Sequence, residues 1–154
     1  FGNDEQALKY ADRAKAYLGS FSSDPAAGLF YFYDSLAQLT VYPKASQSEQ
    51  SQILEILAAN QAKLSHWATL APSNHQHRFE LVEAERHRVL GQKLAAIEQY
   101  DRAIATAQKN GYLHEAAIAN ECAVRFYYQW KKEKLAQSYF ADAYYGYLRW
   151  GALA

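Results

Sequence analysis

One helix-pair pattern is written twice between residues 83 and 150. Leu90-Gly91, Ala96, Tyr100 and Ala103 in the first copy become Trp130-Lys131, Ala136, Phe140 and Ala143 in the second, each shifted by 40 positions, and Gly111 and Gly151 keep the same interval. Small residues and an aromatic ring at helical spacing, repeated at roughly 20–50 residues, specify stacked helix pairs, because each pair leaves a face that only the next pair can cover. The expected fold is therefore all-α, an α-solenoid of antiparallel helix pairs. Composition fits it. Thirteen Tyr, seven Phe and three Trp accompany many alanines, and a large ring on one helix needs a small partner opposite if two axes are to approach to about 8–10 Å.

Taken in order, the chain predicts seven helices. The first, over 4–18, is capped by Asn3 or Asp4 and stopped by Gly19. Its Ala7, Ala11 and Ala14 repeat the spacing of Ala96, Tyr100 and Ala103, so it reads as the second helix of a pair that starts upstream. Phe21-Ser22-Ser23 connects, and Asp24-Pro25 opens the next helix with a capping carboxylate and proline at its first position. An apolar stripe of Leu29, Phe32, Tyr33, Leu36 and Leu39 follows, ended at Val41-Tyr42-Pro43. Ser46 and Glu49 form a capping box before a helix bearing Ile53, Ile56, Leu57, Leu64 and Trp67. Ser73 with Gln76 makes a second, weaker box, opening a helix through Phe79, Val82, Arg86 and Leu90 to Gly91. Helices over 94–109, 112–130 and 133–149 complete the series, with Asn110-Gly111 and Gly151 as stops. The whole of 1–154 is expected to form one helical-repeat domain.

Sixteen basic and sixteen acidic residues cancel, which leaves no electrostatic footprint for nucleic acid or an anionic membrane. No apolar run reaches the roughly 18 residues of a membrane span. A single cysteine, Cys122, excludes an internal disulfide and suits a reducing, cytoplasmic setting. Methionine is absent throughout, the initiator included, which points to a piece of a longer polypeptide.

Candidates for chemistry are few. His75 and His77 lie about 200° apart around a helix, and Glu83 with His87 share a face but make only two ligands, too few for a metal site. Glu83, Arg86 and His87 lie together, with Glu85 and Arg88 on the neighbouring strip. These charges suit either ion pairs between stacked helices or a polar contact surface. Tyr127, Tyr128, Trp130, Tyr139, Phe140, Tyr144, Tyr145, Tyr147 and Trp150 occupy too many helical phases for all to be buried within one helix pair. Some must face a groove, a following repeat or a partner, and Tyr145 and Trp150 are either interface anchors there or plain core. Cys122 reads as a small buried hydrophobe. No phosphate-binding glycine loop, Ser/His/Asp order or zinc spacing occurs, so no catalytic residue, cofactor or metal is expected.

The second helices, with Ala96, Tyr100, Ala103 and Ala136, Phe140, Ala143, resemble the tetratricopeptide pattern. First helices depart from it, since Glu80, Glu83 and His87 stand where that family prefers Trp, Leu and Tyr. More specific words are Tyr31-Phe32-Tyr33-Asp34-Ser35-Leu36-Ala37, the run from Leu81 to Gly91, Tyr100-Asp101-Arg102-Ala103-Ile104, and Ala143-Tyr144-Tyr145-Gly146-Tyr147 with Arg149-Trp150-Gly151-Ala152. They resemble the helical region of large multidomain signalling kinases of cyanobacteria and other bacteria. In that family a Ser/Thr-kinase-like domain and an AAA-type, STAND-like ATPase precede the helical region, and a GAF sensor and a histidine kinase follow it. Lys131 stands where the first copy has Gly91 and the family implies glycine, which leaves the sharpness of the last turn open. The resemblance implies a non-enzymatic interaction and relay module, with other domains of the same polypeptide or signalling proteins as partners. Self-association through end repeats is a further expectation. The alternative is an effector sensor that binds a peptide or small molecule on its concave face, near Tyr33, His87 and Tyr127.

Overall fold

A computed structural model of the chain describes residues 25–151. These residues form six α-helices: α1 (Pro25–Val41), α2 (Gln47–Leu70), α3 (Pro72–Val89), α4 (Lys93–Lys109), α5 (Leu113–Gln129) and α6 (Glu133–Trp150). A 3-10 turn, Tyr42–Lys44, links α1 to α2, and no strand occurs among the described residues. The expected all-α helical-repeat arrangement is thus the observed one. The helix predicted over 4–18, the connector after it and the Asp24 cap lie outside the described residues. The chain divides into two compact units at His75/Gln76, so that α3 begins in the first and runs into the second.

In the first unit α1 and α2 pack through Phe32 and Leu39 on one side and Ile53, Leu57 and Leu64 on the other, all buried. The predicted stripe on α1 is only half right. Leu29 and Tyr33 are exposed, and the buried face carries Asp34, Ser35 and Gln38 beside Phe32 and Leu39. Polar groups hold that face because α2 supplies a partner. The buried Asn60 amide donates to Asp34 Oδ2 at 2.8 Å and to Ser35 Oγ at 3.2 Å. A satisfied polar contact can occupy a core position where an unsatisfied one would cost about 1–3 kcal/mol. Trp67 of α2 packs against His75 in the first turn of α3, ring centroids 5.8 Å apart.

Two boxes were expected at helix starts, and one forms. At α2 the Ser46 N–H donates to Glu49 Oε2 at 2.7 Å and the Glu49 N–H to Ser46 Oγ at 3.4 Å. At α3 the Ser73–Gln76 box is not the start. With Ser73 as cap the helix would start at Asn74; it begins two residues earlier, at Pro72, and the Ala71 carbonyl accepts from the Asn74 and His75 N–H groups at 3.0 and 3.2 Å. Proline is preset for the first helical position and has no N–H to orphan there. Ser73 is therefore inside the helix, and Gln76 turns its amide to Glu80 Oε1 at 3.0 Å.

The second unit contains the repeated pairs, and the same turn joins α3 to α4, α4 to α5 and α5 to α6. The Gly91 N–H donates to the Arg88 carbonyl at 3.1 Å and the Gln92 N–H to the His87 carbonyl at 2.9 Å. Gly111 and Tyr112 bond Gln108 and Ala107 in the same way, and Lys131 and Lys132 bond Tyr128 and Tyr127. This two-bond cap places its first residue in the left-handed region. Gly91 and Gly111 sit at φ 73° and 79°; Lys131 is forced to 58°. The turn is as sharp with lysine as with glycine, so the strain stays in the backbone. Between α5 and α6 the axes come so close that a Cβ added to Gly146 would stand 3.0 Å from the Ala117 Cβ. That approach seals Ala117 at 0 % exposure.

Substituting Lys131→Gly is expected to stabilise the chain by about 1 kcal/mol, since the roughly 1–2 kcal/mol left-handed penalty outweighs glycine's extra unfolded-state entropy of about 0.4–1 kcal/mol. Urea unfolding measures it; an unchanged or lower midpoint would contradict the strain.

Candidate functional site

The α3 charges separate into two strips, as helical spacing requires. On the outer strip Glu83 Oε2 receives Arg86 Nη2 at 2.8 Å, and His87 Nε2 lies 3.7 Å away. His87 Nδ1 and Gln92 Oε1 are hydrogen-bonded at 2.5 Å. Glu83, Arg86 and His87 thus stand together on one helix face as expected.

The inner strip reaches another helix. Glu85, 2 % exposed, accepts from Arg88 Nε at 3.0 Å and Nη2 at 2.8 Å, while its Oε1 takes the Tyr100 hydroxyl of α4. Burial holds the Tyr100 phenol well above its ordinary value, and the Glu85 charge pushes it further. Burial works against the Arg88 charge, but Glu85 outweighs it and keeps the guanidinium raised. Tyr100 packs its ring against Phe126 of α5, centroids 5.5 Å apart. Nearby, Arg125 Nη2 lies 3.2 Å from Cys122 Sγ. Burial, with the Glu85 charge added, pushes the Cys122 thiol up to about 12, so it stays protonated and inert near neutral pH. Arg78 of α3 pairs with Glu115 of α5 at 3.0 Å, and His77 stacks on Tyr112 at 4.5 Å. Among the described residues no group of three or more His, Cys, Asp or Glu could hold a metal ion, and no helix is long and apolar enough to cross a membrane.

The C-terminal aromatics divide by helix face. Tyr127 is buried, stacked on Trp130 at 6.3 Å and on Tyr139 at 5.2 Å. Trp130 also receives Lys93 Nζ at 4.9 Å and Lys132 Nζ at 5.5 Å over its ring. Tyr139 and Tyr147 are half-buried and reach back with their hydroxyls, to Asp101 Oδ1 and Glu121 Oε2, both at 2.7 Å. Trp150 stacks on His114 of α5 at 4.1 Å yet remains 54 % exposed, and Tyr145 is 61 % exposed. These two, like Phe140, Tyr144 and Leu148, present apolar surface outward. Phe140 departs from its counterpart: Tyr100 in the first copy is buried, but no helix of the described residues covers Phe140.

Three links were invisible to spacing: Arg78–Glu115, Tyr139–Asp101 and Tyr147–Glu121 join residues 37, 38 and 26 apart. The Glu85–Tyr100 bond did leave a trace. Forty residues on, Arg125 replaces the acid and Phe140 lacks the hydroxyl, so donor and acceptor disappear together.

No protein-family model matches the chain, and neither a curated protein nor a solved structure does.

Tyr100→Phe is expected to cost about 1–3 kcal/mol, because it leaves a buried carboxylate oxygen short of a donor. Phe140→Tyr, at the exposed equivalent, should stay within about 0.5 kcal/mol; equal effects in urea unfolding would refute the buried bond. Stability is also expected to fall as pH rises above about 9. The Cys122 thiol has an ordinary value of 9.0 and the Tyr100, Tyr139 and Tyr147 phenols 10.0, and all four are raised in the fold. Over that interval the unfolded chain binds fewer protons, so alkali favours unfolding. Urea midpoints at pH 8 and pH 11 test this, and a flat profile would contradict it.

Proposed function

We propose that this chain is a non-enzymatic interaction and relay module of a multidomain, cytoplasmic signalling kinase of the kind its sequence resembles. Its partners are other domains of the same polypeptide or associated signalling proteins, with self-association through end repeats as a secondary mode. The observation that carries this reading is the row of aromatic and aliphatic side chains left outward on α6, with Tyr145 and Trp150 at its edge. Rigid rings on a helix are the anchors that protein interfaces favour, and a surface concentration of them marks a contact site. The ionisable groups support the same reading, because Glu83, Glu85, Arg86 and Arg88 are engaged with one another. Helices locked by buried pairs such as Glu85–Tyr100 move as units, which suits a relay. The effector-sensor alternative needs Tyr127 as a wall of its site, and that ring is already occupied by Trp130 and Tyr139.

A photocrosslinking residue at position 145 or 150, in a polypeptide that includes the flanking domains, is expected to capture one of those domains. Capture should weaken several-fold when Tyr145→Ser and Trp150→Ala are introduced in turn beside the other probe. Absence of any crosslink to a flanking domain or signalling protein would sink the reading.

A further inference from the structure

The turn between α5 and α6 departs from its two counterparts in one residue, and the departure adds a charge. Gly91 and Gly111 hold the left-handed position of the earlier turns, whereas Lys131 takes it at φ 58°. Backbone strain of this kind gathers where a side chain is wanted for contact. Lys131 does not stand alone. Lys132 and Lys134 follow it, and Lys93 arrives from the α3–α4 turn. Lys93 Nζ and Lys132 Nζ lie 4.9 and 5.5 Å from the centre of the same Trp130 ring. Their ammonium groups are therefore no more than about 10 Å apart, one Debye length at ordinary ionic strength, so they act as one charge cluster.

All four lysines are exposed, and none enters an ion pair among the described residues. The arginines Arg78, Arg86, Arg88 and Arg102 differ, since each holds a glutamate. Lys131, Lys132 and Lys134 line a shallow recess of about 320 Å³ together with Glu133 and Leu135, so three cations there face one acid. Leu135, 47 % exposed, adds an apolar wall.

The residue types in this patch select its ligand. A nucleobase or a bilayer interface would use Trp130 as platform or anchor. That ring is half-buried, stacked on Tyr127 and covered by two lysines. Paired phosphate oxygens are best met by the arginine fork, and every cation here is a lysine, whose compact ammonium suits single carboxylates at varied spacing. We propose that the Lys93, Lys131, Lys132 and Lys134 patch is a docking site for an acidic peptide segment of a partner protein, one that carries several carboxylates around an apolar side chain. The carboxylates meet the lysines, and the apolar side chain lies on Leu135. This rests on the interaction-module reading and adds a second contact, at the opposite end of α6 from Tyr145 and Trp150.

The probe is a fluorescently labelled peptide of aspartates and glutamates around a central leucine, titrated with the intact chain and followed by anisotropy. Saturable binding is expected, weakened at least threefold by Lys131→Gly and at least tenfold by Lys93→Gln with Lys134→Gln. Lys131→Gly relieves backbone strain, so its urea midpoint should hold or rise while binding falls, a combination that damage to the fold does not produce. Glu133→Gln should tighten binding, because it removes the acid of the recess. Lys109→Gln, about 24 Å from Lys93 at the far end of α4, should leave binding unchanged. No saturable binding would overturn the proposal, as would equal binding of a peptide with asparagine and glutamine in place of the acids, or binding that the patch substitutions leave intact. Tighter binding to single-stranded DNA or to vesicles of phosphatidylcholine and phosphatidylserine, lost in the same variants, would assign the patch to those ligands and overturn it too. If the peptide fails while position 150 still crosslinks to neighbouring domains, the lysine patch is wrong and the relay reading stands.

Discussion

Tyr100 sits where three helices meet, and the second unit depends on how its two ends are satisfied. Its hydroxyl donates to Glu85 of α3 and its ring lies on Phe126 of α5, while its own backbone belongs to α4. A buried carboxylate is tolerable only when its oxygens are filled, since isolating a charge in a low-dielectric interior costs several kcal/mol. Arg88 fills one oxygen of Glu85 from the same helix, and Tyr100 fills the other from the next. The charge that would penalise folding thereby fixes the register of α4 against α3. A one-residue slip of either helix would carry the hydroxyl away from its acceptor.

Small residues set the distances around that joint. Ala96, Ala103 and Ala107 line the buried face of α4, and Ala116, Ala117, Ala119 and Ala123 are buried on α5. With so little side chain between them the helices approach closely, most of all where Gly146 meets Ala117. Close approach buries α5 on nearly all sides and pushes the bulk of the aromatic side chains to the flanks. There the rings divide by what their tips can reach. Tyr139 and Tyr147 find carboxylates on α4 and α5 and lie half-buried. Phe140, Tyr144 and Tyr145 point away from both helices. The exposed aromatic surface is thus a consequence of tight packing beneath it.

The site and the fold are one feature seen from two sides. A repeat buries its core by stacking, and α6 leaves exposed a ring, Phe140, at the position where α4 buries Tyr100. Tyr145 and Trp150, singled out as candidate anchors, lie along α6. The Glu83, Arg86 and His87 group is different in kind: Glu83 pairs with Arg86 and lies beside His87 on the same helix, so it contributes polarity. Of the two surfaces, the aromatic one has the larger unrealised stabilisation.

The periodic parts of this chain were legible in its sequence. The 40-residue offset, the Ala and ring spacing, the glycine stops and the Ser46–Glu49 box each act within one helix turn or one helix pair, and local rules suffice to read them. The separation of Glu83 from Glu85 onto two strips followed from helical geometry alone. Three-dimensional packing decided the rest. It put Asp34 and Ser35 in a core and Leu29 and Tyr33 outside, because Asn60, a residue of another helix, offered the matching amide. It started α3 at Pro72 instead of Asn74, and it bent Lys131 into a glycine's conformation because the α5–α6 packing required the same turn as its neighbours. Above all it separated Tyr100 from Phe140, two residues that sequence makes equivalent. Burial is a property of what lies opposite a side chain, and that is supplied by residues distant along the chain.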